Sequence, residues 1–171
     1  MTKVCIVTGA SRGMGYGIAK VLAEEEGATV YATARSKKAL DDLSASTKDS
    51  LGVIHPCVLD QADDGAVERF VLNVKAKEKQ IDLLVNSAYG GLTAMAPHFG
   101  KPFWERPVSV FDASMNIGLR SAFVMSKFVA PHMVENKSGL MVQVSSFGGH
   151  GYLFDVGYGL GKAGLASLSA H

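Results

Sequence analysis

Tyr158 and Lys162 are the residues whose types and spacing best suit acid–base chemistry. A helix places side chains four residues apart on one face, so the phenol would lie beside the ammonium. A phenol is a weak acid, with an unperturbed pKa of about 10, and a neighbouring ammonium stabilises its phenolate form. Such a pair could exchange a proton with a substrate oxygen near neutral pH. The same spacing also occurs in ordinary surface pairs, so the interpretation depends on the surrounding residues.

Ser146 stands twelve residues before Tyr158 and follows a charge-free run at 140–145 (LMVQVS) that predicts a fifth strand. Ligands of parallel sheets bind beyond the carboxyl ends of the strands. Ser146 could therefore meet Tyr158 over a substrate carbonyl. Ser145 competes with it for this role.

A glycine-rich stretch at 8–15 (TGASRGMG) lies between a predicted first strand and a predicted first helix. Glycines let the backbone approach a pyrophosphate, and a helix N-terminus supplies N–H groups and a favourable dipole. The alternative is an ordinary strand-to-helix turn, because a glycine pattern alone is weakly specific. Position after the first strand favours a dinucleotide site. Its candidate cofactor contacts are Gly9, Ser11, Arg12, Gly13, Met14 and Gly15.

The residue that reads the adenosine ribose lies about 20 positions past such glycines, at the end of the second strand. Counting from Gly15 leads to Arg35, and Arg12 is a second cation inside the glycine loop. Two guanidiniums suit a 2′-phosphate, whereas an acid would suit a free 2′-hydroxyl. NADP(H) is therefore the favoured cofactor and NAD(H) the alternative. Arg35 could otherwise be a solvated charge at the strand end.

Strand-like and helix-like runs alternate along the chain. Strands are predicted at 3–8, 28–35, 51–59, 81–85 and 140–145; helices are predicted at 12–26, 36–43, 63–79, 110–135 and from about 156 to His171. Pro56 predicts an edge position for the third strand, and the Gly- and Pro-rich segment 89–107 predicts a long loop. The alternation favours a doubly wound (Rossmann-type) α/β fold, with a parallel sheet and helices on both faces.

Bulk composition excludes several classes of function. Lys and Arg number 17, and Asp and Glu number 16. This near balance gives the chain no bulk electrostatic attraction to nucleic acid or to an anionic membrane. No run is long enough to span a bilayer. Cys5 and Cys57 lie in apolar runs and predict buried free thiols of a cytoplasmic protein. Neither belongs to a zinc-binding spacing, so no metal site is expected.

Taken together, these motifs resemble the short-chain dehydrogenase/reductase family, and the resemblance covers essentially the whole chain. Its glycine motif is similar to residues 8–15, and its motif after the fourth strand to residues 86–89 (NSAY). Its helix asparagine, strand-five serine, Tyr-x-x-x-Lys pair and adenine-contacting aspartate resemble Asn116, Ser146, Tyr158 with Lys162, and Asp60. The family has the strand order 3-2-1-4-5 and uses the second serine of the pair, which favours Ser146 over Ser145.

The resemblance also implies roles. Tyr158 would donate a proton to the carbonyl, Ser146 would orient that carbonyl, and Lys162 would stabilise the phenolate and bind the nicotinamide ribose. Asn116 would hold a water that links Lys162 to solvent. Asn86 and Asp60 would contribute to cofactor binding. The implied activity is hydride transfer between NADP(H) and a small hydrophobic carbonyl or alcohol, with steroid or xenobiotic carbonyls as the expected class.

Two departures from the family pattern are visible. Ser87 and Tyr89 stand where the family usually has Asn and Gly. The segment 91–107 is longer than usual and carries Phe99, Phe103 and Trp104. These aromatic residues could form a hydrophobic lid over the substrate or simply pack the insertion onto the body.

The resemblance implies that residues 1–171 form a single dinucleotide-binding catalytic domain that is truncated within its last helix. Family members continue with further strands beyond this point. Without those strands, the strand predicted at 140–145 (LMVQVS) would be an exposed edge of the sheet. The sequence allows three functions: an active carbonyl reductase, a catalytically impaired nucleotide-binding or dimerisation module, and another doubly wound nucleotide binder such as a methyltransferase. The last is disfavoured because it has no use for Tyr158, Lys162 and Ser146 together. The full-length family member is expected to be a homo-oligomer, and the resemblance allows association with the endoplasmic reticulum.

Overall fold

Five short, largely apolar runs pair in parallel to form the central sheet of the computed structural model, which describes residues 2–170. The strands are Val4–Thr8 (β1), Thr29–Ala34 (β2), Val53–Val58 (β3), Leu83–Asn86 (β4) and Leu140–Gln143 (β5). The helices are Gly13–Glu24 (α1), Lys37–Ser46 (α2), Asp64–Lys77 (α3), Gly91–Met95 (α4), Val108–Ser114 (α5), Ser121–Glu135 (α6) and Val156–Leu168 (α7). The sheet order β3-β2-β1-β4-β5 confirms the predicted doubly wound topology.

The continuous apolar run of β1 is explained by burial on both faces, since every residue from Val4 to Thr8 is buried. Ile6 packs in a core with residues of α3 and α6, including Val67 and Met125. Cys5 and Val7 point the other way, into a core with the small residues of α1 and the leucines of α2. The sheet is thus covered by helices on both faces. Among residues 2–170, no helix is both long and apolar enough to traverse a bilayer.

The two edges of the sheet differ in character. β3 pairs with β2 on one side, which confirms the edge position predicted from Pro56. β5 pairs with β4 on one side and ends at Gln143, two residues earlier than predicted. Leu140 and Val142 are consequently exposed along this second edge.

The cysteine prediction was half right. Cys5 is buried, and burial raises the pKa of its thiol to about 11, so it is a poor nucleophile at neutral pH. Cys57 is only half-buried, because it lies on the exposed edge strand β3. Both thiols are free.

The secondary structure differs most from the prediction in segment 89–107 and in the helix predicted at 110–135. Segment 89–107 is not a continuous loop, because it contains α4 and 3₁₀ turns at Ala96–His98 and Phe103–Glu105. The helix predicted at 110–135 begins earlier, at Val108, and is interrupted by a π-helical segment at Met115–Arg120. The N–H of Ser121 bonds to the carbonyl of Asn116, five residues back, which widens this turn. The last helix is described to Leu168, and its predicted end at His171 lies outside the described residues.

Candidate active site

The first turn of α7 brings Tyr158 against Ser146, beyond the carboxyl end of β5. The Tyr158 hydroxyl donates to Ser146 Oγ at 2.8 Å, and the backbone N–H of Gly148 donates to the same oxygen at 3.1 Å. A serine hydroxyl accepts two hydrogen bonds and donates one. With both acceptor positions used, the remaining proton of Ser146 is available to a substrate oxygen. Ser145 instead donates to the carbonyl of Lys162 at 3.0 Å, so Ser146 is the serine at the phenol.

Lys162 lies one turn after Tyr158 and is 9% exposed. Its Nζ donates to the carbonyl of Val144 at 2.6 Å and lies 5.6 Å from the centre of the Tyr158 ring. Burial lowers the pKa of the ammonium, because a charged group loses hydration there. A cation at this distance from the phenol face favours accumulation of negative charge on the ring.

Tyr89 belongs to the site although the sequence marked it only as a departure from the family pattern. Its ring meets the Tyr158 ring edge-on at 5.4 Å, and Lys162 Nζ lies 5.5 Å from its centre. Its hydroxyl shares a 3.1 Å hydrogen bond with Ser114 Oγ, and burial raises its pKa. The signal available in the sequence was a large aromatic residue three positions after the end of β4, at the carboxyl edge of the sheet.

Asn116 lies on the π-helical segment, which packs against α7. Its side chain is exposed, and within residues 2–170 it forms no hydrogen bond with Ser146, Tyr158 or Lys162. π-Helical turns are frequent at functional sites, because they displace one residue from the regular helical ladder. The structure therefore brings three of the four predicted catalytic residues into contact, and the role of Asn116 stays a prediction.

A cleft of about 830 Å³ opens at the same edge of the sheet. Its walls contain all the predicted cofactor contacts of the glycine loop together with Arg35 and Asp60. Tyr89 lines the cleft and also touches Tyr158 and Lys162. It therefore lies where the cleft meets Tyr158, Ser146 and Lys162, which we call the Tyr–Ser–Lys group. The predicted contacts of the glycine loop, Arg35 and Asp60 therefore adjoin Tyr158, Ser146 and Lys162 on one surface.

Close backbone contacts fix the shape of the glycine loop. A Cβ at Gly15 would lie 2.5 Å from the carbonyl oxygen of Gly9, and a Cβ at Gly9 would lie 2.7 Å from Ala88 Cα. Gly9 also has a φ of +69°, which residues with a Cβ rarely adopt. Thr8 Oγ1 accepts from the N–H groups of Ser87 and Ala88 at 3.0 and 3.1 Å and so joins the loop to the turn after β4. This function of Thr8 was not predicted.

The N-terminus of α1 faces the cleft without a side-chain cap. Its N-cap residue Arg12 forms no capping hydrogen bond. The first N–H groups of a helix need an external acceptor when no side chain supplies one. An anionic pyrophosphate would satisfy them.

Two cationic side chains line the cleft. Arg12 and Arg35 are exposed in its wall, and within residues 2–170 neither guanidinium is joined to an acid by an ion pair. Asp60 Oδ1 accepts from the N–H of Ala62 at 3.0 Å. Gln61 is buried in the same wall, and its Oε1 has no hydrogen-bond partner among the described residues, a feature that the sequence did not reveal.

Asn86 is placed differently from the other predicted cofactor contacts. It is buried at the end of β4, where its amide donates to Ser126 Oγ at 3.0 Å and to the carbonyl of Ala122 at 3.4 Å. The side chain therefore links the end of β4 to α6 by hydrogen bonds and does not line the cleft. Its contribution to cofactor binding stays a prediction. Among residues 2–170, no group of three His, Cys, Asp or Glu side chains is arranged to hold a metal ion.

Gly15→Ala should remove dinucleotide binding, because the new Cβ would collide with the backbone of Gly9. Gly17→Ala is the matched control on the same helix, since a Cβ there meets nothing within 4 Å. The control should bind normally and be stabilised by up to about 1 kcal/mol, the usual difference between Ala and Gly inside a helix. Titration of NADPH fluorescence, with urea unfolding of each variant, measures both effects. Equal NADPH affinity in the two variants would contradict dinucleotide binding at this loop.

Comparison with known proteins agrees with this geometry. The family model for short chain dehydrogenases matches residues 3–171. The chain is 42% identical to mouse dehydrogenase/reductase SDR family member 1 over 172 residues and 39% identical to the human protein over 169 residues. Each alignment covers 98% of this chain and 54% of the relative, so the chain spans about half the length of these curated relatives.

Solved structures give the same result. A metagenomic short-chain oxidoreductase in complex with NADP superposes with a TM-score of 0.85 at 30% identity, covering 97% of this chain and 72% of that one. The sheet order, the strand-edge cleft and the extent of the family match lead to one assignment. This chain belongs to the short-chain dehydrogenase family of oxidoreductases.

Proposed function

We propose that this chain is the cofactor-binding and catalytic part of an NADP(H)-dependent oxidoreductase that interconverts a carbonyl compound and its alcohol. The observation that carries the proposal is the 2.8 Å hydrogen bond from Tyr158 to Ser146, with buried Lys162 against the Tyr158 ring. This arrangement lies beside a cleft whose glycine backbone and uncapped helix suit a dinucleotide.

The cleft has features that fit the cofactor. Gly9 and Gly15 leave space at the backbone that a Cβ would fill, and α1 presents uncapped N–H groups. Arg12 and Arg35 would hold the 2′-phosphate. The nicotinamide of NADP(H), when bound, supplies or receives the hydride.

The side chains of the chain would manage the proton and the carbonyl oxygen. Ser146 donates its free hydroxyl proton to that oxygen, which orients the carbonyl and draws electron density toward it. As the alcohol forms, Tyr158 exchanges its hydrogen bond to Ser146 Oγ for one to the same oxygen, passes its proton there and is left as phenolate. Lys162 stabilises that phenolate through its charge at the ring face. In the oxidising direction the phenolate takes the proton back.

Aromatic residues favour a hydrophobic substrate. Phe154 meets the Tyr158 ring at 5.5 Å, and Phe99 of the insertion meets Phe154 at 6.1 Å. Phe99, Phe103 and Trp104 are 48%, 56% and 72% exposed, which disfavours the alternative that they merely pack the insertion onto the body. The apolar surface near Tyr158 suits the predicted steroid or xenobiotic carbonyls.

Turnover tests the proposal directly. The purified chain is mixed with NADPH and a panel of dicarbonyl, steroid and aldehyde compounds, and the fall in absorbance of the reduced nicotinamide is followed. Carbonyl-dependent NADPH consumption with an alcohol product is expected. Saturable NADPH binding without consumption for any carbonyl would instead support a nucleotide-binding module and contradict the enzymatic proposal.

Arg35→Asp should shift cofactor preference from NADPH toward NADH. The substitution removes a cation from the cleft and places a carboxylate where a 2′-phosphate would lie, so NADPH affinity should fall by about 10- to 100-fold. Lys48→Asp is the matched control, because it makes the same charge change at an exposed residue away from this cleft. Dissociation constants for both cofactors check the result. An unchanged preference in Arg35→Asp would remove Arg35 from the 2′-phosphate site.

A further inference from the structure

Arg106 lies at the end of the insertion, between the 3₁₀ turn Phe103–Glu105 and α5. Its Nε and Nη2 donate to the carbonyl of Lys101 at 2.9 and 2.8 Å, and its Nη1 donates to the carbonyl of Phe154 at 2.9 Å. Nη1 also donates to Asp155 Oδ2 at 2.7 Å. One guanidinium therefore joins the insertion to the segment that leads into α7.

The ion pair between Arg106 and Asp155 is buried at both ends, with 5% and 6% of the two side chains exposed. Each of the other ion pairs within residues 2–170 has at least one side chain that is more than a third exposed. Exposed pairs contribute little to structure, because water screens them. A buried pair fixes its partners, since separating them leaves an uncompensated charge out of water.

The second oxygen of Asp155 controls the start of the catalytic helix. Asp155 Oδ1 accepts from the N–H of Gly157 at 2.7 Å, which caps α7. Tyr158 lies in the next position of the same turn. The carboxylate that Arg106 holds is thus also the group that sets where α7 begins.

Phe154 gives the second link between Arg106 and the site. Its φ of +65° is a left-handed conformation that a residue with a Cβ rarely adopts without support from its surroundings. Arg106 binds the carbonyl of this residue. The Phe154 ring then lies between Phe99 of the insertion and Tyr158.

We propose that Arg106 is a positioning residue: with Asp155 and the carbonyls of Lys101 and Phe154 it forms a latch that holds the aromatic insertion over the site and fixes Tyr158 at the start of α7. The inference rests on the proposed function for its effect on turnover, but the latch itself is a property of the fold. The resemblance to the family pointed to none of these contacts.

The test uses the double variant Arg106→Gln/Asp155→Asn. Both substitutions remove charge, so no unpaired ion is buried, and Asn retains an oxygen that can cap α7. The matched control is Lys75→Gln/Glu135→Gln, which neutralises an exposed ion pair between α3 and α6 away from the site. The structural readouts are amide hydrogen exchange and time-resolved fluorescence anisotropy of Trp104, which is the single tryptophan of the chain.

In the latch variant, exchange should accelerate at least about tenfold at residues 103–106 and 157–159 while β1 keeps its protection. Trp104 anisotropy should decay faster. With turnover established, kcat should fall by about tenfold or more while the dissociation constant of NADPH stays unchanged, because the cofactor cleft is untouched. The control variant should match the parent chain in every readout.

Unchanged exchange and anisotropy in the latch variant would overturn the proposal. Uniformly faster exchange, including β1, would overturn it as well, because Arg106 would then support the fold in general and not the site. These two readouts require no turnover. If the parent chain binds NADPH but reduces no carbonyl, the proposed function fails while the latch is still decided by exchange and anisotropy.

Discussion

Tyr158→Phe is expected to lower kcat/KM for carbonyl reduction by about 10²- to 10⁴-fold, the usual contribution of a positioned general acid. The variant loses the hydroxyl that bonds to Ser146 at 2.8 Å and retains the ring that packs against Tyr89 and Phe154. The loss should therefore concern the proton and not the shape of the site. Steady-state rates report the loss of the proton, and NADPH titrations of the same preparations show whether the shape of the site has changed.

Tyr152→Phe is the matched control for this prediction. Tyr152 is 72% exposed, and its hydroxyl makes a long 3.5 Å contact with the carbonyl of Phe154. It lies in the same region of the chain but takes no part in the Tyr–Ser–Lys group. The control should retain the parent rate. If Tyr158→Phe also retains at least half of that rate, Tyr158 is not the proton donor.

Lys162→Met should reduce turnover on the order of 10²-fold and leave the protein at least as stable at pH 7. Turnover falls because no cation remains at the Tyr158 ring to stabilise the phenolate. Stability does not fall in parallel, because replacing a buried ionic group with an apolar side chain of similar volume is often neutral or stabilising. Rates and urea unfolding at pH 7 measure the two effects. A large loss of stability would show that Lys162 mainly supports the fold through its bond to Val144.

The stability difference should also depend on pH with a defined sign. Burial lowers the pKa of Lys162 below its ordinary value of 10.5, so the folded protein binds this proton less tightly than the unfolded chain. Between the lowered pKa and 10.5, the unfolded state therefore binds more protons than the folded state. The contribution of Lys162 to the free energy of unfolding consequently increases as pH rises toward 10.5. The advantage of the Met variant should therefore shrink between pH 7 and pH 10. An advantage that grows over this range would mean that the lysine pKa is raised.

Local patterns predicted the parts of the fold that depend on neighbouring residues. The buried run of β1, the edge proline Pro56 and the glycine loop each carry their signal within a few positions, and the structure places all three as expected. The contact of Tyr158 with Ser146 followed from the rule that parallel strands end at one edge of the sheet.

The features that were not predicted depend on contacts between distant segments. The π-helical turn at Met115–Arg120 replaces part of the continuous helix predicted at 110–135. Tyr89, in the segment after β4, joins the site because its ring meets Tyr158 of α7, and Arg106 meets Asp155 across 49 residues of sequence. No periodicity links such partners. The contact of Asn86 with α6 was not predicted for the same reason, because its partner Ser126 lies 40 residues away along the chain.

Transfer of isotope from the cofactor to the substrate tests the central claim most directly. The chain is incubated with NADPH deuterated at the transferable position of the nicotinamide and with the best carbonyl of the panel, and the alcohol is analysed by mass spectrometry. The account predicts one deuterium on the carbinol carbon of the parent product and loss of that product in Tyr158→Phe. Saturable NADPH binding without labelled alcohol, or labelled alcohol at the parent rate from Tyr158→Phe, would contradict it.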